Sequence, residues 1–222
     1  MADVPLLLCD LDDTLLDRQA TFRTWAGQFA ATLGNQDAEL VDWLIAEDRR
    51  GYRPRTELMA AIKARLGLPD TAEDLVDEFR NTFPEMSRCA QSVFDALRQA
   101  GESGWRIAIV TNGSASQLRK VSASGLSEYV DAVCVSELVG CAKPDPRLLH
   151  IAARRCRTDL AGAWMVGDNA TADIGAAHAA CISSVCLRHG RQWNLSGYRP
   201  TAEAESVSSA IGIALGETAL RP

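Results

Sequence analysis

The stretch Leu6-Leu7-Leu8-Cys9-Asp10-Leu11-Asp12-Asp13-Thr14 runs four consecutive apolar residues straight into carboxylates. An apolar run without polar alternation is a strand covered on both faces, as in a parallel sheet sheathed by helices. Ligands of open α/β sheets bind beyond the carboxyl ends of the strands, so these acids stand where an active site would form. In extended geometry residues two apart face the same side, which puts Asp10 and Asp12 together and turns Leu11 into the core. Neighbouring carboxylates repel, and a hard divalent cation is a natural means of holding them. An isolated D-x-D also reads as a polar turn that caps the next helix, so the rest of the chain has to decide.

Similar runs recur. Pro5–Cys9, Trp105–Thr111, Asp131–Ser136, Gly162–Val166 and Ile182–Leu187 are expected to be strands, with helices between the later ones at Ser116–Ser124, Pro146–Arg157 and Thr171–Ala180. Each helix opens near Ser, Asp-Pro or Asp/Asn residues suited to capping. Strand and helix in alternation give an α/β fold with a doubly wound, Rossmann-like parallel sheet. One long interval breaks the rhythm. Phe22, Trp25, Phe29 and Leu33 follow helical spacing, as do Leu40, Val41, Leu44 and Ile45, then Leu58, Ile62 and Leu66, then Leu75, Val76 and Phe79. Residues 17–90 are therefore expected to form a smaller helical domain inserted into a core made of 1–16 and 91–222. Ser92–Gly101 returns the chain to the sheet, and the weakly patterned tail after Arg188 has a last helix at Val207–Leu215.

Three further strand ends bear on the chemistry. Ile109-Val110-Thr111-Asn112-Gly113-Ser114 offers a hydroxyl, an amide and glycine-permitted backbone N–H groups able to grip phosphate oxygens. Cys141-Ala142-Lys143-Pro144-Asp145-Pro146 places a lysine before a helix start, where an isolated lysine is ordinarily solvated. Met165-Val166-Gly167-Asp168-Asn169-Ala170-Thr171-Ala172-Asp173 again delivers carboxylates from an apolar strand to the same sheet edge.

Taken together and in order, D-L-D-D-T, V-T-N-G, K-P-D-P and V-G-D-N-x-x-x-D resemble the haloacid dehalogenase superfamily, in particular its phosphatase branch with a helical cap after the first motif. The resemblance runs from Leu6 to about Leu187. It implies a Mg²⁺-dependent phosphatase acting on a small phosphate monoester through an aspartyl-phosphate. In that reading Asp10 is the nucleophile and Asp12 the general acid/base. Thr111, Asn112 and Gly113 hold the phosphoryl group together with Lys143, which also orients Asp10. Asp168 binds magnesium with Asp10 and the backbone carbonyl of Asp12, while Asp173 and Asn169 support the site and Asp173 either steadies the metal shell or pairs with Lys143. Dehalogenase relatives lack the second carboxylate because a halide needs no acid, so Asp12 favours ester hydrolysis. A phosphomutase of the same superfamily and a non-catalytic phospho-ligand-binding protein are the alternatives.

Composition narrows the partners. With 23 Lys and Arg against 29 Asp and Glu, a net charge of −6 argues against a nucleic-acid binder. The start Met1-Ala2-Asp3-Val4-Pro5 has no basic n-region and no stretch is long enough for a membrane span. Seven cysteines without a C-x-x-C pair read as reduced core thiols of a cytoplasmic protein. A small phosphorylated metabolite is the expected partner, with the chain a monomer or homodimer. In the insertion, Asp48-Arg49-Arg50-Gly51-Tyr52-Arg53-Pro54-Arg55 forms a loop between helices, facing substrate or making ordinary surface salt bridges. His150 and His178 are expected to be packing or surface residues, and Trp25 and Trp43 part of the insertion's core. His189, Arg191 and Trp193 follow the last strand and stand near the sheet edge without an assigned role.

Overall fold

Leu6 and Leu8 join the core on one face of the central sheet and Leu7 and Cys9 that on the other, and all four are fully buried. The structure, a computed structural model, describes residues 4–34 and 37–216. Strand β1 (Leu6–Cys9) is followed by helices α1 (Arg18–Thr32), α2 (Ala38–Asp48), α3 (Arg55–Leu66), α4 (Ala72–Thr82) and α5 (Gln91–Glu102). Then come β2 (Arg106–Thr111), α6 (Ser116–Ala123), β3 (Ala132–Val135), the single turn α7 (Ser136–Val139) and α8 (Arg147–Arg155). The chain continues through β4 (Trp164–Gly167), α9 (Gly175–Ala179), β5 (Ser183–Leu187), β6 (Ala202–Ala204) and α10 (Val207–Ala214). It divides into two compact units: one comprises the chain up to Leu16 and from Cys89 onward, the other Asp17–Arg88.

In the first unit the strands form one parallel sheet in the order β3-β2-β1-β4-β5-β6. Residues of α5 and α10 fill the core on one face and residues of α8 and α9 that on the other, so strands apolar on both sides are what this architecture requires. The winding direction reverses between β1 and β4, the switch point at which such sheets open a crevice. Asp10 and Asp168 come directly after those two strands, and the Asp10 N–H donates to Val166 O at 2.9 Å.

Three features depart from expectation. The extended geometry used to pair Asp10 with Asp12 ends at Cys9: the chain turns, with Asp13 at φ 57° and Leu16 N–H bonded to Leu11 O at 2.9 Å. Leu11 is buried as expected, but strand alternation does not reach Asp12. The helix expected over Thr171–Ala180 begins as a π-helical turn at Ala170–Ile174, with Asn169 Oδ1 capping the N–H groups of Thr171 and Ala172, before α9 continues. π-turns inside helices often mark functional positions. Strand β6 carries no pattern in the sequence because it is three residues long with glutamate at its centre.

The second unit packs Phe22, Trp25, Phe79 and Phe83 with Leu44, Leu58 and Ile62 into its own core, with Trp43 partly buried against it. Beside this core, Arg18 donates bidentately to Asp48 at 2.7 and 2.8 Å, and Arg55 reaches the same carboxylate at 2.5 Å. Gly51, at φ 87°, is a glycine for space as well: a Cβ there would lie 2.8 Å from the Arg18 guanidinium carbon. Of the loop's arginines, Arg55 is thus bound to Asp48 and Arg53 pairs with Glu47, while Arg49 and Arg50 adopt left-handed φ of 50° and 57°. Burial opposes the Asp48 charge, but Arg18 and Arg55 outweigh it and hold this carboxyl below its usual range. The pair therefore stabilises the unit fully above the ordinary carboxylate value of ~3.9 and is lost as pH falls through the lowered one. Asp48→Asn, which removes the carboxylate charge facing the buried Arg18, is expected to lower the unfolding free energy by about 3–5 kcal/mol at pH 7. Urea denaturation reads this loss, and the gap to wild type should close as acid protonates Asp48.

Candidate active site

Lys143 lies in the turn that leads from β3 and α7 into α8, and its ammonium is buried between two carboxylates: Asp10 at 2.5 Å and Asp173 at 2.6 Å. Its Nζ also donates to Val110 O at 2.6 Å. The turn is held by Asn112, whose side-chain amide donates to Lys143 O and whose Oδ1 accepts from Lys143 N–H, both at 2.8 Å. Burial alone would strip the proton from Lys143, yet Asp10 and Asp173 outweigh it and hold the amine charged, above its ordinary value.

Asp173 is 1 % exposed, with both carboxylate oxygens in use: one on Lys143, the other accepting from Asn169 N–H at 2.9 Å. A Cβ on Gly167 would collide with this carboxylate, which explains the glycine before Asp168. Carboxylate oxygens of Asp10, Asp168 and Asp173 lie within 4.8 Å of one another, all three residues buried. Burial raises the Asp10 carboxyl above its ordinary range, with Asp173 adding to the rise and Lys143 opposing it. For Asp168, burial and then Asp173 push the carboxyl up to about 6, against the pull of Arg191.

Three carboxylates meet two cations, the Lys143 ammonium and the Arg191 guanidinium, so negative charge still outnumbers positive. The donor atoms are all oxygens, without His or Cys, and so match a hard divalent cation rather than zinc or copper. Such an ion would offset the burial that chiefly raises both carboxyls and the repulsion from Asp173 that adds to it.

The remaining candidate residues sit around this centre. The Asp12 carboxylate is held by α6, where Lys120 Nζ lies 2.6 Å and Gln117 Nε2 3.0 Å from Oδ2. Gln117 Nε2 also donates to Thr111 Oγ1 at 2.8 Å, and Gly113 N–H donates to Ser136 Oγ at 2.9 Å. The Thr111 hydroxyl, the Asn112 side chain and the Gly113 N–H thus also make bonds within the protein that brace Lys143 and Gln117. Arg191 donates to both the carboxylate and the carbonyl oxygen of Asp168 at 2.9 Å, and His189 Nε2 lies 2.7 Å from Asp13 O. His150 and His178 are exposed.

Gln117, Lys120 and Arg191 carry no motif in the sequence. The one signal for the first two is the spacing of Gln117, Lys120 and Val121, which share a face of α6, whereas the apolar Leu118 is 42 % exposed. The polar residues face inward here, against the usual pattern.

The haloacid dehalogenase-like hydrolase family matches residues 4–180, and the chain belongs to it and is a hydrolase. A plasmid-borne phosphoglycolate phosphatase of Cupriavidus necator is 30% identical over 190 residues, covering 83% of this chain and 80% of that protein. Phosphoserine phosphatase of Thermus thermophilus is 30% identical over 156 residues, which covers 68% of this chain but only 58% of that protein's length. The HAD-hydrolase YfnB of Bacillus subtilis, solved bound to magnesium, shares the fold with a TM-score of 0.80 at 21% identity, over 96% of this chain and 99% of that one.

Because Asp173 has no room to move, Gly167→Ala should cost about 1–3 kcal/mol of stability through overpacking. An unchanged urea midpoint would show that the carboxylate is not fixed there.

Proposed function

We propose that the protein is a Mg²⁺-dependent phosphatase that hydrolyses a small phosphate monoester through an aspartyl-phosphate on Asp10. The observation that carries this is the ammonium of Lys143 buried between Asp10 and Asp173, with Asp168 beside them. A carboxylate attacking a phosphate dianion meets a repulsion of about 4 kcal/mol per charge pair at 4 Å in an effective dielectric near 20. Lys143 supplies one compensating charge at the nucleophile, and Mg²⁺, held by Asp10, Asp168 and the carbonyl of Asp12, would supply the rest and polarise the phosphoryl group.

In this mechanism an Asp10 oxygen attacks phosphorus, the P–O bond to the leaving group breaks, and Asp12 gives that oxygen its proton. Asp12 then takes a proton from water, whose oxygen attacks phosphorus, releasing inorganic phosphate and restoring Asp10. Asp173 and Asn169 keep Lys143 and the Asp168 loop in place, and Thr111, Asn112 and Gly113 hold the phosphoryl group together with Lys143. Residues 17–90 serve as a cap whose closure excludes water and selects the substrate. The two relatives above are both named as phosphatases, for different substrates, which supports the reaction class and leaves the metabolite open. Seven unpaired cysteines fit a reducing, cytoplasmic setting. Among the described residues no helix is long and apolar enough to cross a membrane.

The test is phosphate release from p-nitrophenyl phosphate and a panel of metabolite phosphates, with Mg²⁺ and with EDTA. Wild type should turn over only with metal, and Asp10→Asn and Asp168→Asn should each lose at least about a thousandfold while staying folded. Positional isomerisation of a sugar phosphate without net release would make the protein a mutase. Wild type inactive on every ester with metal present would favour a phospho-ligand-binding protein.

A further inference from the structure

Lys120 is a lysine on a helix and is only 6 % exposed, and Gln117 one turn earlier is 4 % exposed. Withdrawing an ammonium from water costs several kcal/mol unless a countercharge and hydrogen bonds offset it. The countercharge is Asp12, 2.6 Å away. Gln117 Nε2 meets the same oxygen, Oδ2, at 3.0 Å and ties it to Thr111 Oγ1 at 2.8 Å. Gly113 provides the space: at φ 144°, a Cβ there would lie 3.1 Å from Gln117 Cγ. Two donors converging on one oxygen fix the rotation of the carboxylate. Asp12 needs that restraint, because it lies past the end of β1 in an irregular turn whose next residue has a left-handed backbone.

We infer that Lys120 and Gln117 are positioning residues that orient the Asp12 carboxylate toward the leaving group. The inference rests on the phosphatase reading above and adds a further cation to the site beside Lys143 and Arg191, distinct in role from Lys143: one steadies the nucleophile, the other the proton donor. Proton delivery by a positioned group is worth about 10²–10⁴-fold when the leaving group is a poor one and little when it departs unaided. Losing the orientation should therefore be felt selectively.

The experiment measures kcat/KM, which reports phosphoryl transfer to Asp10, for an alkyl phosphate monoester and for p-nitrophenyl phosphate. It compares wild type, Lys120→Met, Lys120→Arg, Gln117→Leu, Asp12→Asn and Asp12→Asn/Lys120→Met, each shown to be folded by thermal melting. Lys120→Met should lose on the order of 10²-fold on the alkyl ester but no more than about threefold on the aryl ester. Lys120→Arg should recover part of the loss, and Gln117→Leu should show the same selectivity more weakly. With Asp12 already replaced, removing Lys120 should cost nothing further, as expected of residues acting as a unit. Equal losses on both esters, or losses that multiply in the double variant, would overturn the inference while leaving the phosphatase reading intact. A wild type inactive on both esters with Mg²⁺ present would overturn the two together.

Discussion

The ammonium of Lys143 holds the carboxyl edge of the sheet together. It brings Asp10 at the end of β1 and Asp173 in the π-turn after β4 to within 2.6 Å of one nitrogen, although these residues are far apart in sequence. Without that charge two buried carboxylates would face each other uncompensated, a situation costing several kcal/mol per ion. Around it the fold places its special residues: Asn112 clamps the lysine turn, Gly167 makes room for Asp173, and Asn169 both caps the helix and anchors the second Asp173 oxygen.

The arrangement remains one cation short. Lys143 and Arg191 do not neutralise all three carboxylates; burial raises the carboxyls of Asp10 and Asp168, and repulsion from Asp173 adds to it. A phosphate dianion would deepen the imbalance. Under the proposed function, a divalent ion is the partner that would let this pocket admit phosphate beside Asp10.

Much of this is legible in the sequence because buried parallel strands announce themselves as unalternating apolar runs, and the residues just past each run land on one edge of the sheet. Asp10 and Asp168 stand out in that way, whereas Lys143 and Asp173, farther along the chain, are picked out by the family resemblance. The features that the sequence conceals have identifiable causes. The position of Asp12 depends on a turn at Asp13 that no propensity demands of an aspartate, since a positive φ there is set by tertiary context. Lys120 and Gln117 look like solvent-facing residues because helix periodicity ranks side chains by polarity, and here the polar ones point inward to meet a charge. Arg191 sits in a tail with neither periodicity nor motif, so only coordinates could put it on Asp168. Strand β6 is too short to stand out from a loop.

The site is proposed to hold a divalent cation shared by the ends of β1 and β4. Soaking crystals with Mn²⁺ and mapping its anomalous scattering tests it most directly. A single strong peak within about 2.2 Å of oxygens of both Asp10 and Asp168, displaced by Mg²⁺ and lost in Asp168→Asn, is the predicted outcome. Bound manganese elsewhere, with no peak touching both carboxylates at millimolar metal, would contradict it.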